Sequence, residues 1–177
     1  MKDILVISSS PRKGGNSDLL CDQFVKGALE AGHKVEKISL REKNLHPCLG
    51  CGACQSTHRC VQKDDMAALL DRLVEADVIV MATPVYFYTL SAQMKMFIDR
   101  TVPRYTEISG KEFYFIATAA DGNKKTLERT IDGFRGFTDC LEGVQEKGVL
   151  LAPGVWKKGE VSGSAAMEEA FAMGRQA

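Results

Sequence analysis

Apolar residues along this chain recur with two periods, and the two alternate. Ile4–Ser8 is a short β-branched run. Ser17–Ala31 repeats its apolar positions with helical spacing (Leu19, Leu20, Phe24, Val25, Leu29) and stops at Gly32, a fitting C′ glycine. Val35–Leu40 alternates apolar and polar residues, as a half-buried strand does. A long irregular stretch, Arg41–Lys63, comes next. Asp64–Glu75 then reads as a helix with Met66, Leu69, Leu70 and Leu73 on one face and Asp64 as a candidate N-cap. Asp77–Ala82 is apolar throughout after its first residue. Ser91–Thr101 reads as a helix capped by Ser91, and Glu112–Ala117 as an aromatic and β-branched strand. Leu127–Leu141 has a helical pattern weakened by Gly133 and Gly136. Val144–Leu151 is a late strand, and Ser164–Ala172 a last helix.

Five strands separated by helices, with no internal repeat and no linker, predict one α/β domain over residues 1–177, with a cysteine-rich loop at 41–63. A strand as continuously apolar as Val78–Met81 suits a sheet covered on both faces, hence a parallel one. Five strands favour a doubly wound sheet in the order 2-1-3-4-5. Ligands of such sheets bind beyond the carboxyl ends of the strands, so the segments after each strand carry the functional information.

Composition removes several classes of function. Lysine plus arginine equal aspartate plus glutamate at 23 each, so nothing points to nucleic acid or to an anionic membrane surface. The apolar runs, such as Val78–Ala82, are far shorter than the roughly 18 residues that span a bilayer. Ile4–Ile7 is too short for a signal-peptide core, and a cytoplasmic location is expected. The six cysteines fit a reducing compartment: four crowd into Cys48–Cys60, as metal ligands or redox groups do. Cys21 and Cys140 stand alone in helical patterns and read as small buried hydrophobes.

The first strand leads directly into Ser8-Ser9-Ser10-Pro11-Arg12-Lys13-Gly14-Gly15-Asn16-Ser17 and then a helix. Small hydroxyl residues and glycines let backbone N–H groups approach an anion, the helix start adds its dipole, and Arg12 adds charge. The segment has neither G-x-G-x-x-G nor G-x-x-x-x-G-K-S/T, which sets aside the two common nucleotide loops. So many donors at one point suit a terminal phosphate monoester.

The sharpest chemical feature is Cys48-x2-Cys51-x2-Cys54-x5-Cys60. Four thiolates this close in sequence suit a [4Fe-4S] cluster, with Gly50 and Gly52 permitting close backbone approach. A four-cysteine zinc site, a reactive Cys51/Cys54 pair or thiols without a metal remain open on the same residues. His46 and His58 read as surface residues. Met94, Met96 and Phe97 read as core or subunit-interface packing, and Lys95, Asp99 and Arg100 as a solvated or interface charge set.

Ser9 through Ser17 resembles the G-S-P-R-x-x-G-N-S/T loop of the NADPH-dependent FMN reductase family, which includes the iron–sulfur flavoproteins; Ser9 stands where glycine is usual. The resemblance continues in the cysteine segment and Asp64-Asp65-Met66. It resumes at Thr83-Pro84-Val85-Tyr86-Phe87, Ser91-Ala92-Gln93-Met94-Lys95 and Phe97-Ile98-Asp99-Arg100, covering most of the first hundred residues in family order. It implies a flavodoxin-like fold that holds FMN. The phosphate would lie on Ser9, Ser10, Arg12, Gly15, Asn16 and Ser17, and the ring against Thr83, Pro84, Val85, Tyr86 and Phe87. Asp121 and Gly122 would form a third loop. It implies Cys48, Cys51, Cys54 and Cys60 as ligands of an iron–sulfur cluster. It also implies a homodimer or homotetramer.

The expected function is that of an FMN-dependent oxidoreductase. Its electrons would come from NAD(P)H or a ferredoxin-like donor and go to a small-molecule acceptor. No side chain stands out as catalytic, because the cofactor carries the chemistry. A non-enzymatic flavodoxin-type electron carrier is the rival, disfavoured by the neutral net charge. A metal-binding module on the same scaffold is another.

Overall fold

The computed structural model describes residues 1–177. The strands are β1 (Asp3–Ser8), β2 (Lys34–Ser39), β3 (Val78–Pro84), β4 (Glu112–Thr118) and β5 (Gln145–Ala152). The helices are α1 (Asn16–Glu30), α2 (Cys54–Thr57), α3 (Met66–Glu75), α4 (Ala92–Asp99), α5 (Glu128–Thr138) and α6 (Ala165–Gln176). All five strands are parallel and lie in the order β2-β1-β3-β4-β5, as expected from the sequence.

Alternation along the strands divides the apolar residues between two cores. Leu5, Ile7, Ile79, Met81, Phe113 and Phe115 face α3, α4 and α5, where Leu69, Leu73, Met94, Phe97 and Phe134 meet them. Ile4, Val6, Val78, Val80, Tyr114 and Ile116 face α1 and α6, against Leu20, Phe24 and Ala170. Because β1 and β3 bury both faces, they cannot show polar alternation, which is why they read as unbroken apolar runs. The pairing of Ser8 with both Ser39 and Ala82 brings the carboxyl ends of β2, β1 and β3 to one edge.

On the second face α1 and α6 touch backbone to backbone. A Cβ at Gly27 would lie 2.0 Å from the carbonyl oxygen of Phe171, and one at Gly174 would lie 2.0 Å from that of Phe24. Only hydrogen fits at both places, and the glycine that weakens α6 locally is the one that lets it dock.

Several details differ from the sequence reading. Arg41–Lys63 contains a short helix, α2, that no periodicity announced. α5 ends at Thr138 rather than Leu141, and Cys140 is exposed, not buried. Phe137 and Leu141 take the inward positions of that turn, leaving Cys140 outside, where its thiol points at the Gly136 carbonyl at 3.5 Å. Cys21 is wholly buried, and burial pushes its thiol up to about 12, as for an inert core residue. Asp64 does not cap α3 as the N-cap residue, a position that falls to Asp65. Ser91 does cap α4, accepting from the Met94 N–H at 3.3 Å. No helix is long and apolar enough to cross a membrane.

Gly27→Ala should destabilise the protein by about 3 kcal/mol, since two backbones must separate to admit one methyl group. Gly136→Ala, on α5 with nothing within 4 Å of the added carbon, should instead stabilise by about 0.5–1 kcal/mol. Urea denaturation of both variants checks the opposite signs.

Candidate functional site

The segments that follow β1, β3, β4 and β5 enclose a cleft of about 490 Å³ at the carboxyl edge of the sheet. That size lies within the usual range of small-ligand sites, about 300–1,000 Å³. Its floor is the start of α1 with Ser10, Gly15, Asn16 and Ser17, and its walls are Pro84–Tyr88, Thr118–Asp121, Val155 and Trp156.

The α1 end of the cleft presents unpaired hydrogen-bond donors. As in every helix, the first-turn N–H groups have no partner inside the helix. The N-cap residue is Gly15, which has no side chain to satisfy them. A Cβ at Gly15 would lie 2.4 Å from Ser10 Oγ, so the loop closes this tightly only around glycine. The Ser17 hydroxyl is buried and has no hydrogen-bond partner in the chain. A buried unpaired hydroxyl is costly unless a ligand completes it.

Asp18 holds the loop from behind. It accepts from the Ser8 hydroxyl and the Gly14 N–H, both at 2.9 Å, and pairs with Lys37 at 2.7 Å. Burial opposes its charge. The hydrogen bonds from Lys37, Gly14 and Ser8 outweigh that and hold the carboxyl below its ordinary value. A negative charge in the first turn of α1 is thus neutralised by its own lysine, leaving the helix start able to receive another anion.

The expected site residues separate into two groups. Ser10, Arg12, Gly15, Asn16, Ser17, Pro84, Val85, Tyr86, Phe87 and Asp121 line the cleft. Ser9, Thr83 and Gly122 do not. Ser9 lies in a buried chain in which Ser91 donates to Ser9 (2.9 Å) and Ser9 to the Ala82 carbonyl (3.0 Å). The serine in place of the usual glycine therefore ties α4 to β3. Thr83 is buried and accepts from the Ser91 N–H at 3.0 Å. Asn16 spends its amide on the far wall: Nδ2 donates to the carbonyls of Val155 and Lys157, and Oδ1 accepts from the Val161 N–H. It shapes the cleft through residues 155–161. The sequence reading missed Trp156, whose signal was a lone tryptophan just after the last strand; it is 73% exposed.

The wall at Tyr86–Thr89 is strained. Tyr86 and Thr89 exchange both backbone hydrogen bonds at 3.1 Å. The two residues between them, Phe87 (φ 48°) and Tyr88 (φ 62°), are both left-handed. Such a turn prefers Asn-Gly, and here two aromatic residues bear it. Phe87 is fully exposed, so packing within the chain does not compensate. Strain of this kind concentrates where a ligand is held.

The four-cysteine segment forms a second site that shares no lining residue with the first. Cys48, Cys51, Cys54 and Cys60 are free thiols around one hollow of about 170 Å³, walled by Leu49, Val61, Val102 and Pro103. Gly50 (φ 60°) and Gly52 (φ 72°) make the turns between the first three cysteines. The Gly50 N–H donates to Cys48 Sγ at 3.5 Å. No three Cys, His, Asp or Glu side chains converge closely enough to hold a metal ion as the chain stands.

Arg100 overturns the expectation of a solvated charge. Its side chain and that of Asp64 are each 1% exposed and form a two-point ion pair at 2.6 and 2.9 Å. Arg100 also donates to the His46 carbonyl at 2.6 Å, and Asp64 accepts from the N–H groups of His46 and Met66. The pair therefore clasps both ends of the cysteine segment onto α4. Burial opposes the Asp64 charge. The Arg100, His46 and Met66 hydrogen bonds outweigh it and bring the carboxyl from 3.8 to about 2.

The sequence profile of the NADPH-dependent FMN reductase family matches residues 2–141, and the chain belongs to that family. It is 42% identical over 97 residues to an iron–sulfur flavoprotein of Archaeoglobus fulgidus, a match covering 55% of this chain and 44% of that protein. The chain thus spans about half the length of this relative and of a second iron–sulfur flavoprotein, from Methanocaldococcus jannaschii. It is 30% identical over 160 residues to a putative NAD(P)H-dependent FMN-containing oxidoreductase, YwqN, of Bacillus subtilis, covering 85% of this chain and 84% of the relative. Among solved structures it is similar to an FMN-dependent NADH-azoreductase of Bacillus anthracis in complex with FMN. That likeness has TM-score 0.76 at 16% identity over 98% of both chains and speaks to the fold.

Phe87→Gly should stabilise the unliganded protein by about 0.5–1 kcal/mol. It relieves roughly 1–2 kcal/mol of left-handed strain against a gain of about 0.4–1 kcal/mol in unfolded-chain freedom. Chemical denaturation reads the difference. For Asp64, a folded-state pKa below the ordinary value means that its contribution is complete above pH 3.8 and is lost as pH falls through about 2. The stability advantage of wild type over Asp64→Asn should shrink across that interval, as urea midpoints at pH 7, 3.5 and 2 would show.

Proposed function

We propose that this protein is an FMN-dependent oxidoreductase that takes electrons from a nicotinamide donor and gives them to a small-molecule acceptor such as a quinone. The observation that carries this reading is the buried, unpaired Ser17 hydroxyl at an uncapped helix start, opening into a cleft walled by aromatic residues.

The residues fit FMN in kind. The first-turn N–H groups of α1, the Ser17 and Ser10 hydroxyls and Arg12 would take the phosphate. A dianion there would be stabilised by the α1 dipole and by the unpaired Ser17 hydroxyl, whereas the Ser10 hydroxyl would turn from the Arg12 carbonyl, to which it now donates. Pro84–Tyr88 and Trp156 would flank the ring system with apolar and aromatic surface, and Ala119 and Ala120 are small enough to leave it room. When bound, FMN supplies the hydride and single-electron chemistry. The protein's own contribution is to bind, orient and shield it, and no proton-transfer residue is required of the chain.

We further propose that Cys48, Cys51, Cys54 and Cys60 hold a [4Fe-4S] cluster. What supports this reading is the donor set: four free cysteines that line one hollow with apolar walls, the ligand type and number that a [4Fe-4S] cluster takes. Such a cluster supplies electrons singly. Assembly as a homodimer or homotetramer, which the resemblance implies, belongs to this reading too.

The test is anaerobic purification followed by absorption spectroscopy, iron assay and FMN titration. Flavin bands, about four irons per chain and NADPH oxidation coupled to quinone reduction are expected. Ser17→Ala should weaken FMN binding roughly tenfold or more, since a hydrogen bond to a charged group contributes about 1.5–3 kcal/mol. The same change should leave the apoprotein equally or more stable, because the lost hydroxyl had no partner. Unchanged FMN affinity would place the phosphate elsewhere; flavin without iron would remove the cluster and leave the reductase.

A further inference from the structure

Arg100 makes one contact that holding the loop does not require. Its guanidinium has five N–H donors. Two at Nη1 go to the His46 carbonyl and Asp64 Oδ2, and one at Nη2 to Asp64 Oδ1. The second Nη2 donor points to Cys60 Sγ at 3.6 Å. The fifth, at Nε, is buried and has no acceptor. Arg100 also lines the hollow that the four cysteines surround.

This makes the four sulfurs unequal. Cys48 faces a backbone N–H, whereas Cys60 faces a buried cation. Burial matters here, because a guanidinium in water would be screened and would discriminate little, whereas one 1% exposed is screened less by solvent. A donor to a ligand sulfur stabilises the more negative, reduced form of an iron–sulfur centre and raises its potential. Asp64 opposes this by neutralising the guanidinium from its far side.

We propose that Arg100 is a positioning residue of the cysteine centre, holding Cys60 by a charged hydrogen bond and raising the reduction potential of the cluster, with Asp64 as the counterweight. The inference rests on the cluster reading above. Arg100 acts through the sulfur of Cys60 and needs no contact with the cluster.

A merely structural pair and a tuning pair make different predictions. If the pair only ties down the loop, Arg100→Gln and Asp64→Asn loosen the same clasp and shift the centre in the same direction. If it tunes, the two shift it in opposite directions: Arg100→Gln leaves an unbalanced carboxylate and lowers the potential, and Asp64→Asn leaves an unbalanced guanidinium and raises it. Since breaking a buried pair from one side is costly, the double variant Arg100→Gln/Asp64→Asn, which leaves no buried charge, tests the hydrogen bond alone. Arg100→Lys keeps the charge and should rescue most of the shift.

The experiment is a dye-mediated redox titration of the anaerobically reconstituted full chain, followed by electron paramagnetic resonance, with iron content measured on each sample. Arg100→Gln should change the reduced-to-oxidised ratio at a fixed potential about tenfold toward oxidised, which is about 59 mV for one electron. Asp64→Asn should move it the other way, and the double variant should remain below wild type. Equal potentials in iron-loaded wild type and Arg100→Gln, or shifts of the same sign in both single variants, would overturn the proposal. Loss of iron from Arg100→Lys and the double variant alike would also overturn it, making Arg100 structural. Wild type without iron would instead overturn the cluster reading on which the proposal stands.

Discussion

A parallel sheet buried on both faces imposes the arrangement of everything else in this molecule. Each strand must be followed by a crossover that returns to the opposite edge, so the connections after β1, β3, β4 and β5 all emerge at one side. The apolar runs of β1 and β3 leave no polar side chain in the sheet interior, and chemistry is confined to that edge. The cleft is the space those connections enclose.

Two buried carboxylates perform the same task at the two sites. Asp18 shapes the segment after β1 by accepting from Ser8 and Gly14 while Lys37 balances its charge. Asp64 closes the cysteine segment by accepting from His46 and Met66 while Arg100 balances it. Irregular backbone lacks the ladder hydrogen bonds that order strands and helices, so a carboxylate that accepts several N–H groups at once substitutes for them. In both cases a cation makes the buried charge tolerable. The difference lies in where the cation points: Lys37 turns back to Asp22 and the α1 backbone, whereas Arg100 reaches the cysteine hollow.

The strained turn at Phe87 and Tyr88 complements these clasps. It has no buried side chain to hold it and presents aromatic surface at the cleft mouth. Such a turn costs least with glycine or asparagine, so two aromatic residues in it mark stored backbone strain at the cleft mouth. The unpaired Ser17 hydroxyl is another feature that the chain alone does not satisfy. Both lie on the same cleft.

The alternation of five strands with helices, and hence a parallel sheet, was readable in the sequence because hydrophobic period is a local property; the strand order followed from the arrangement that five such strands favour. The cysteine spacing, likewise local, marked the second site. Three things were not readable. Cys140 is exposed because the end of α5 is set by which residues of the last turn fit the core. Asn16 and Ser9 sit in a loop that suggests ligand contact, yet their side chains are spent on residues 155–161 and on Ser91. Arg100 lies in a run with Lys95 and Asp99 that looks like a solvated helix face, and only the return of Asp64 against the end of α4 buries it. Local pattern thus determined the fold and the segments that carry the chemistry. Which polar groups within them are spent and which remain free was decided by tertiary contact, since a hydrogen bond between residues 36 or 139 positions apart leaves no periodicity in the chain.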